Sequence, residues 1–344
     1  MMQVILSPFI QSYHVFSAAC NSLRERINLL FQRQDFVLLN GFELLPVDRF
    51  QPPGSIPNGG NTCYMALVLQ DLAASDAYNE MFNRPLNRQA GESLSHFQQR
   101  KLLQNAFCQS LQKLRQGVNL SLGEVRELKD RLGALGWNQT SRFAKILERV
   151  FPLLFSAPPC DSLEFYHFLR LLLEEEDFTI GSETCGGFYQ MWPDPETAPP
   201  IGHLRLTLDN LPLREVQDIT LLVARDEALR ESLEQNKALP TLWKVDILRT
   251  TVGNNGGVNY EQHPVDLKES LELGEDRAPL RLMQIQCNRE SFAGMRHSYL
   301  YRRIETTLGT DKWLKCDDDC ITEVPFDEIK RREASHCWGL VFEA

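Results

Sequence analysis

An α+β fold is what the sequence predicts, on three observations. Between Asn61 and about Glu176 apolar residues recur at helical spacing, whereas beyond Phe178 they alternate in short runs divided by Gly and Pro. In front of both, Gly54 to Leu72 (GSIPNGGNTCYMALVLQDL) is a glycine-rich turn running into an apolar segment, with Cys63 at the junction. At 344 residues, 43% hydrophobic and 24% charged, the chain can bury a sizeable core as one large domain or two ordinary ones. The net charge of -10 argues against general nucleic-acid or anionic-membrane binding and suits a partner with a basic face. Nine cysteines, an odd number without paired CxxC spacing, predict reduced thiols in a cytosol-like, cytoplasmic setting. Cys316 and Cys320 bracket three acids but lack a second ligand pair, so neither a zinc site nor any other metal or cofactor is expected. The start, MMQVILSPFIQSYHVF, has no basic head and no long apolar run. Neither a signal peptide nor a transmembrane helix is predicted, and delivery into another cell stays open.

Taken in order, residues 1–53 read as an N-terminal helical extension, with a helix around Phe16 to Phe31 that carries Leu23, Ile27 and Leu30 on one face. Gln51-Pro52-Pro53-Gly54 is a natural boundary, and residues 54–344 form the main domain. Helices are predicted over Phe97 to Leu114, Leu122 to Leu135, Phe143 to Phe155 and Leu163 to Leu173. Asp161 can cap the last of these, with Glu164 three residues on as in a capping box. Gly181 to Gly202 is rich in Gly and Pro. His203 to Asp209 alternates as a strand, and one or two helices follow from Leu213. Leu239 to Val252 is a further strand with Trp243, Val245 and Ile247 on one face; Gly253 to Gly257 is a hairpin-like turn, and Leu280 to Cys287 is another strand.

Cys63 is the first candidate for chemistry. Met65, Val68, Leu69 and Leu72 follow it at helical spacing, so the thiol falls in the first turn of a helix. Unpaired N–H groups and the positive end of the helix dipole favour an anion there and raise the thiolate fraction. Gly59 and Gly60 allow the backbone to approach a carbonyl closely, and the Asn58 amide could donate to a developing oxyanion. The plain alternative for an isolated cysteine is a buried packing residue.

The run around Cys63 resembles the cysteine box of the ubiquitin-specific proteases, G-L-x-N-x-G-N-T-C-Y-M-N-x-x-L-Q. It matches at Asn58, Gly60, Asn61, Thr62, Cys63, Tyr64, Met65, Leu69 and Gln70, and departs at Ser55 and Ala66. CDSLEFYHFLRLLLEEE resembles the family's Q-x-D-A-x-E-F-L-x-x-L-L-D at Asp161 and Glu164. FAGMRHSYLYRR resembles its histidine box, G-G-H-Y-x-A-Y-V-R, at His297, Tyr301 and Arg303, with Arg296 and Ser298 in place of the usual Gly and Tyr. DKWLKCDDDCITEV resembles W-Y-x-F-D-D-x-x-V-x-x-V, with Trp313, Asp317, Asp318, Ile321 and Val324 in register, and CWGLVFE resembles the closing strand.

The resemblance runs from about Gly54 to Glu343 and implies a papain-like α+β cysteine peptidase. A helical thumb over about 54–176 would face a β-sheet palm with reduced fingers over about 177–344; Cys185 alone there implies fingers without metal. The implied activity is thiol-dependent hydrolysis of isopeptide bonds at the C-terminal Gly of ubiquitin. Cys63 is the implied nucleophile, His297 the base and acid, and Asp317 the carboxylate that orients it; Asn58 and Asp318 are implied to assist at the oxyanion. Asp161, Glu164 and Tyr64 are the implied substrate-binding positions, the two acids facing arginines of the ubiquitin tail. Ubiquitin or ubiquitinated proteins are the implied partners. A peptidase for another modifier, SUMO-like or NEDD8-like, and a ubiquitin-binding scaffold without turnover both remain open readings.

Overall fold

A computed structural model describes residues 44–60, 62–137, 162–173, 187–188, 201–208, 215–225, 229–230, 234, 240–252, 258–260, 262–273, 277–290, 296–307 and 309–344. The expected helices around Phe16 to Phe31 and Phe143 to Phe155, and Cys185, lie outside the described residues. Glu43–Ala344 make one compact unit.

The helical side is built around α1 (Cys63–Ala73), whose residues from Tyr64 to Ala73 are all buried. A helix enclosed on every side has to be central. Packed against it are α2 (Leu94–Arg115) and α4 (Ser162–Leu173), while α3 (Leu122–Ala134) packs on α2. Each is delimited by local chemistry. The Ser93 hydroxyl accepts from His96 N at the start of α2, and Ser121 with Glu124 forms a reciprocal capping box on α3. Val125, Leu128 and Leu132 of α3 are buried at helical spacing, as are Phe165, Leu169 and Leu172 of α4.

The strands are β1 (Gly187–Phe188), β2 (Ile201–Thr207), β3 (Gln217–Asp218), β4 (Leu242–Leu248), β5 (Thr250–Val252), β6 (Val258–Tyr260), β7 (Val265–Asp266), β8 (Ser270–Leu271), β9 (Leu280–Glu290), β10 (Arg296–Ile304), β11 (Lys312–Asp317), β12 (Cys320–Glu323) and β13 (Cys337–Glu343). The main sheet runs β1-β2-β4-β13-β9-β10-β11-β12, with β8 added to β9; β2 and β4 are parallel and the other pairs antiparallel. The fold is therefore α+β, with β13 taken into the middle of the sheet.

Strand alternation sorts the sheet's side chains into two cores. Leu242, Leu300, Cys316 and Val341 join the helices, whereas their neighbours Trp243, Tyr299, Tyr301, Leu340 and Phe342 enter a second core with Ile219, Val265 and Leu282. Ile329 of a last helix, α5 (Phe326–Glu333), closes that second core. A buried charged pair joins α1 to β4: Lys244 Nζ lies 2.6 Å from Asp71 Oδ2, the side chains 1% and 0% exposed.

One expectation is corrected here. The strand expected over Leu239 to Val252 is divided at Arg249, whose buried guanidinium donates to the carbonyls of Cys337, His263 and Ala334. After this break β5 pairs with β6 in a separate two-stranded sheet. The helical stretch expected from Leu213 is present among the described residues as the short helix Ile219–Ala224 and helical residues 229, 230 and 234, preceded by the two-residue strand β3.

Candidate active site

Three segments meet at one point: the turn before α1 and, more than 200 residues further along the chain, the start of β10 and the turn between β11 and β12. The first is held internally by the Asn58 side chain. Its Oδ1 accepts from Gly60 N (3.0 Å) and from the Thr62 hydroxyl (3.3 Å), and that hydroxyl in turn accepts from Gly59 N at 2.8 Å. Gly60 sits at φ +87 with open space around the place of a side chain, so its backbone angle, not crowding, is what calls for glycine. Lys129 Nζ, from α3, donates to Gly60 O at 3.1 Å. Gln70 Nε2 holds Gly54 O at 2.7 Å, tying the turn back onto α1.

The third segment is a tight hairpin. Asp317 pairs with Cys320 across the ladder, leaving Asp318 and Asp319 as the two-residue loop, and Asp318 adopts φ 52 as the strand twist of such loops requires. This turn is fastened to the first segment twice. Ile56 N donates to Asp318 O (3.1 Å), and Asn58 Nδ2 donates to Asp318 Oδ2 (3.0 Å).

His297 comes from β10, where antiparallel pairing with β11 brings it beside Asp317. Its Nε2 lies 2.6 Å from Asp317 Oδ1 and 4.0 Å from Asp318 Oδ2. The Cys63 thiol lies near enough to the imidazole and to the Ser298 backbone N–H for both to favour its ionised form. With Nε2 on the carboxylate, Nδ1 is the ring nitrogen left for sulfur.

The electrostatics follow from these contacts. Burial opposes ionisation of Cys63, but the hydrogen bonds from His297 and Ser298 and the imidazolium charge outweigh it, and the thiol is held below its ordinary value. His297 is raised to about 10, first by the hydrogen bond to Asp317 and then by that to Cys63. Asp317 is lowered to about 2, chiefly by His297. Asp318 is raised, burial being the main cause. The shifts all act towards a thiolate and imidazolium backed by a carboxylate, the arrangement that makes a sulfur nucleophilic and keeps a proton at hand.

The structure thus brings together five of the residues singled out in the sequence: Cys63, His297, Asp317, Asp318 and Asn58. Tyr64 is a correction. It is 2% exposed, its hydroxyl accepts from Trp137 Nε1 at 2.9 Å, and its ring packs edge-on against Phe165, so it belongs to the helical core and not to a substrate-facing surface. Asp161 lies outside the described residues, as does the side chain of Glu164. Tyr301 and Arg303 serve structure, donating to Glu333 and Asp311. Two contributors were given no role by the sequence reasoning. Thr62, fully buried, anchors the Asn58 turn, and Lys315 donates to Asp317 Oδ2 at 2.5 Å. Strand alternation places Lys315 and Asp317 on one face, which was the available signal for the second. His297, Asp317 and Asp318 also have ligand atoms within 4.8 Å of one another, but a cation there would compete with Lys315 and with the imidazole proton.

No protein-family model matches the chain, and no curated protein matches it in sequence. Solved structures do match it in shape. The Ubp8-Sgf11-Sgf73-Sus1 SAGA DUB module is similar at 12% identity over 92% of this chain and 72% of that one, with a TM-score of 0.49. A SAGA Ubp8 module bound to ubiquitin aldehyde is similar at 11% identity, 86% and 70% coverage, and a TM-score of 0.48. An essential yeast splicing factor is similar at 13% identity, 90% and 74% coverage, and a TM-score of 0.46.

Proposed function

We propose that the protein is a cysteine peptidase of the ubiquitin-specific protease type, hydrolysing isopeptide bonds at the C-terminal Gly of ubiquitin. The observation that carries this reading is the convergence of Cys63 with His297 and Asp317, which lie more than 200 residues further along the chain, in the order of the motifs they resemble. In this reading α1 to α4 form the thumb of a papain-like fold and the main sheet its palm, with the active site between them.

The chemistry runs as an acyl transfer. The Cys63 thiolate attacks the isopeptide carbonyl, forming a C–S bond and an oxyanion that the Asn58 amide and the first-turn N–H groups of α1 stabilise. As the C–N bond breaks, His297 gives its proton to the departing lysine amine and a thioester remains. His297 then takes a proton from water as the oxygen attacks, and the C–S bond breaks to release the ubiquitin carboxylate. Asp317 fixes the imidazole orientation throughout and stabilises its charge. Asp161 and Glu164 would pair with arginines of the ubiquitin tail. The free thiols among the described residues suit a reducing, cytoplasmic setting.

The test is reaction of the purified protein with ubiquitin bearing a C-terminal electrophile, beside SUMO and NEDD8 versions of the same probe. The ubiquitin probe is expected to label wild type at Cys63. Cys63→Ala should abolish the adduct, His297→Ala should reduce it at least ~100-fold, and Asp317→Ala should leave part of it. Labelling by another modifier alone would reassign the substrate, and ubiquitin binding unaffected by Cys63→Ala without any adduct would make the protein a scaffold.

A further inference from the structure

Lys315 is the residue beside the site that the reaction itself leaves without a role. Its ammonium lies 2.5 Å from Asp317 Oδ2 and, on its other side, 4.2 Å from the centre of the Tyr299 ring. That ring is itself held. Tyr299 is buried, and its hydroxyl donates to Glu333 Oε2 at 2.8 Å, while the Tyr301 hydroxyl donates to Glu333 Oε1 at 2.8 Å. An exposed lysine paired with an acid ordinarily contributes little, because it is free to leave. This one is wedged between an aromatic face and a carboxylate, with 27% of its side chain exposed.

The wedge solves a problem specific to this site. Asp317 has two equivalent oxygens and can rotate, and a second acid, Asp318, lies only 4.0 Å from the same imidazole nitrogen. Two carboxylates competing for one N–H would leave the ring without a single orientation. We propose that Lys315 is a positioning residue: it occupies Asp317 Oδ2, leaves Oδ1 as the one oxygen aimed at His297, and offsets one of the negative charges facing Cys63. The charged and titratable groups around this point are Cys63 from α1, Lys129 from α3, Arg289 from β9, His297 and Tyr299 from β10, Lys315 and Asp317 from β11, Asp318 and Asp319 in the turn, and Glu333 from α5 behind the tyrosines. Removing one cation from this set disfavours the thiolate.

This inference deepens the proposed function, and one of its two readouts does not depend on that function. The rate of Cys63 alkylation by iodoacetamide, followed by peptide mass spectrometry across pH, reports thiolate formation whatever the substrate. Lys315→Met is expected to shift the acid limb upward so that alkylation there slows about three- to tenfold, and Lys315→Arg, which keeps the charge, to restore most of it. On a fluorogenic ubiquitin amide the Met variant should lower kcat about tenfold while KM stays within about twofold. Melting curves of all variants check folding, and Lys315→Gln replaces Lys315→Met if the latter fails to fold. An alkylation profile in the folded Met or Gln variant that overlays wild type would overturn the proposal. Failure of wild type to cleave the ubiquitin amide would instead count against the proposed substrate, leaving the alkylation result to decide on Lys315.

Discussion

Cys63 and His297 titrate as a pair, and their shifts set the pH range over which the site is armed. The thiol is lowered from 9.0 and the imidazole is raised to about 10, so the ion pair forms as Cys63 loses its proton and persists until His297 loses its own. The nucleophile needs the first event and the leaving amine needs the second not to have happened. A rate profile for cleavage of a ubiquitin amide should therefore rise as the thiol ionises, at a pH below its ordinary 9.0, and fall towards pH 10; a profile that keeps rising past pH 10 would contradict the assignment of His297 as the acid. The same shifts act on stability. His297, raised above 6.5, contributes fully below that value and loses the contribution as pH rises through about 10. Asp317, lowered from 3.8 to about 2, contributes above 3.8 and loses its contribution as pH falls through about 2. Both contributions are full only between roughly pH 4 and roughly pH 6.5, and the imidazole's share declines from there towards pH 10.

Among the elements, α1 matters most, since it aims the sulfur at the sheet. Apolar packing surrounds it, but its most specific attachment is Asp71 with Lys244 of β4, and Lys244 Nζ also lies 4.4 Å from the Tyr166 ring of α4. The pair sits two turns along the helix from Cys63. Breaking one half of a buried ion pair leaves a charge in a low-dielectric interior, whereas replacing both halves by apolar groups of similar size is tolerated. Lys244→Met should lower the free energy of unfolding by about 3–5 kcal/mol in urea titration, and the double change Lys244→Met with Asp71→Leu should recover most of that. If the double variant were as unstable as the single one, the cost would lie in lost packing and not in the stranded carboxylate.

At the scale of the whole molecule, β13 joins the two cores. It lies between β4 and β9, with Val341 facing the helices and Leu340 and Phe342 facing the other way. A shortened chain ending at His336 would expose the ladder edges of both neighbours and open both cores. It is expected to give no cooperative thermal transition, whereas deletion of Ala344 alone should melt like wild type; a cooperative melt in the shortened chain would show that the sheet closes without its central strand.

Much of the local structure was legible because it depends on near neighbours. Helical spacing predicted 97–114 and 122–135, and the helices run Leu94–Arg115 and Leu122–Ala134. The placement of Cys63 at a helix start, and the alternation that put Trp243, Val245 and Ile247 on one face, were legible for the same reason. Tyr64 was misread because its burial is due to Trp137 and Phe165, about seventy and a hundred residues further along. The strand breaks at Arg249, whose side chain donates to three carbonyls distant in sequence. By itself, then, the sequence determined which segments are helix or strand and which side chains are suited to the chemistry, since caps, periodicity and turn chemistry act over a few residues. Tertiary structure alone decided the strand order, the enclosure of Tyr64 and the seating of Lys315 between Asp317 and Tyr299. Those depend on closing long loops and on the fit of side chains that no local pattern records.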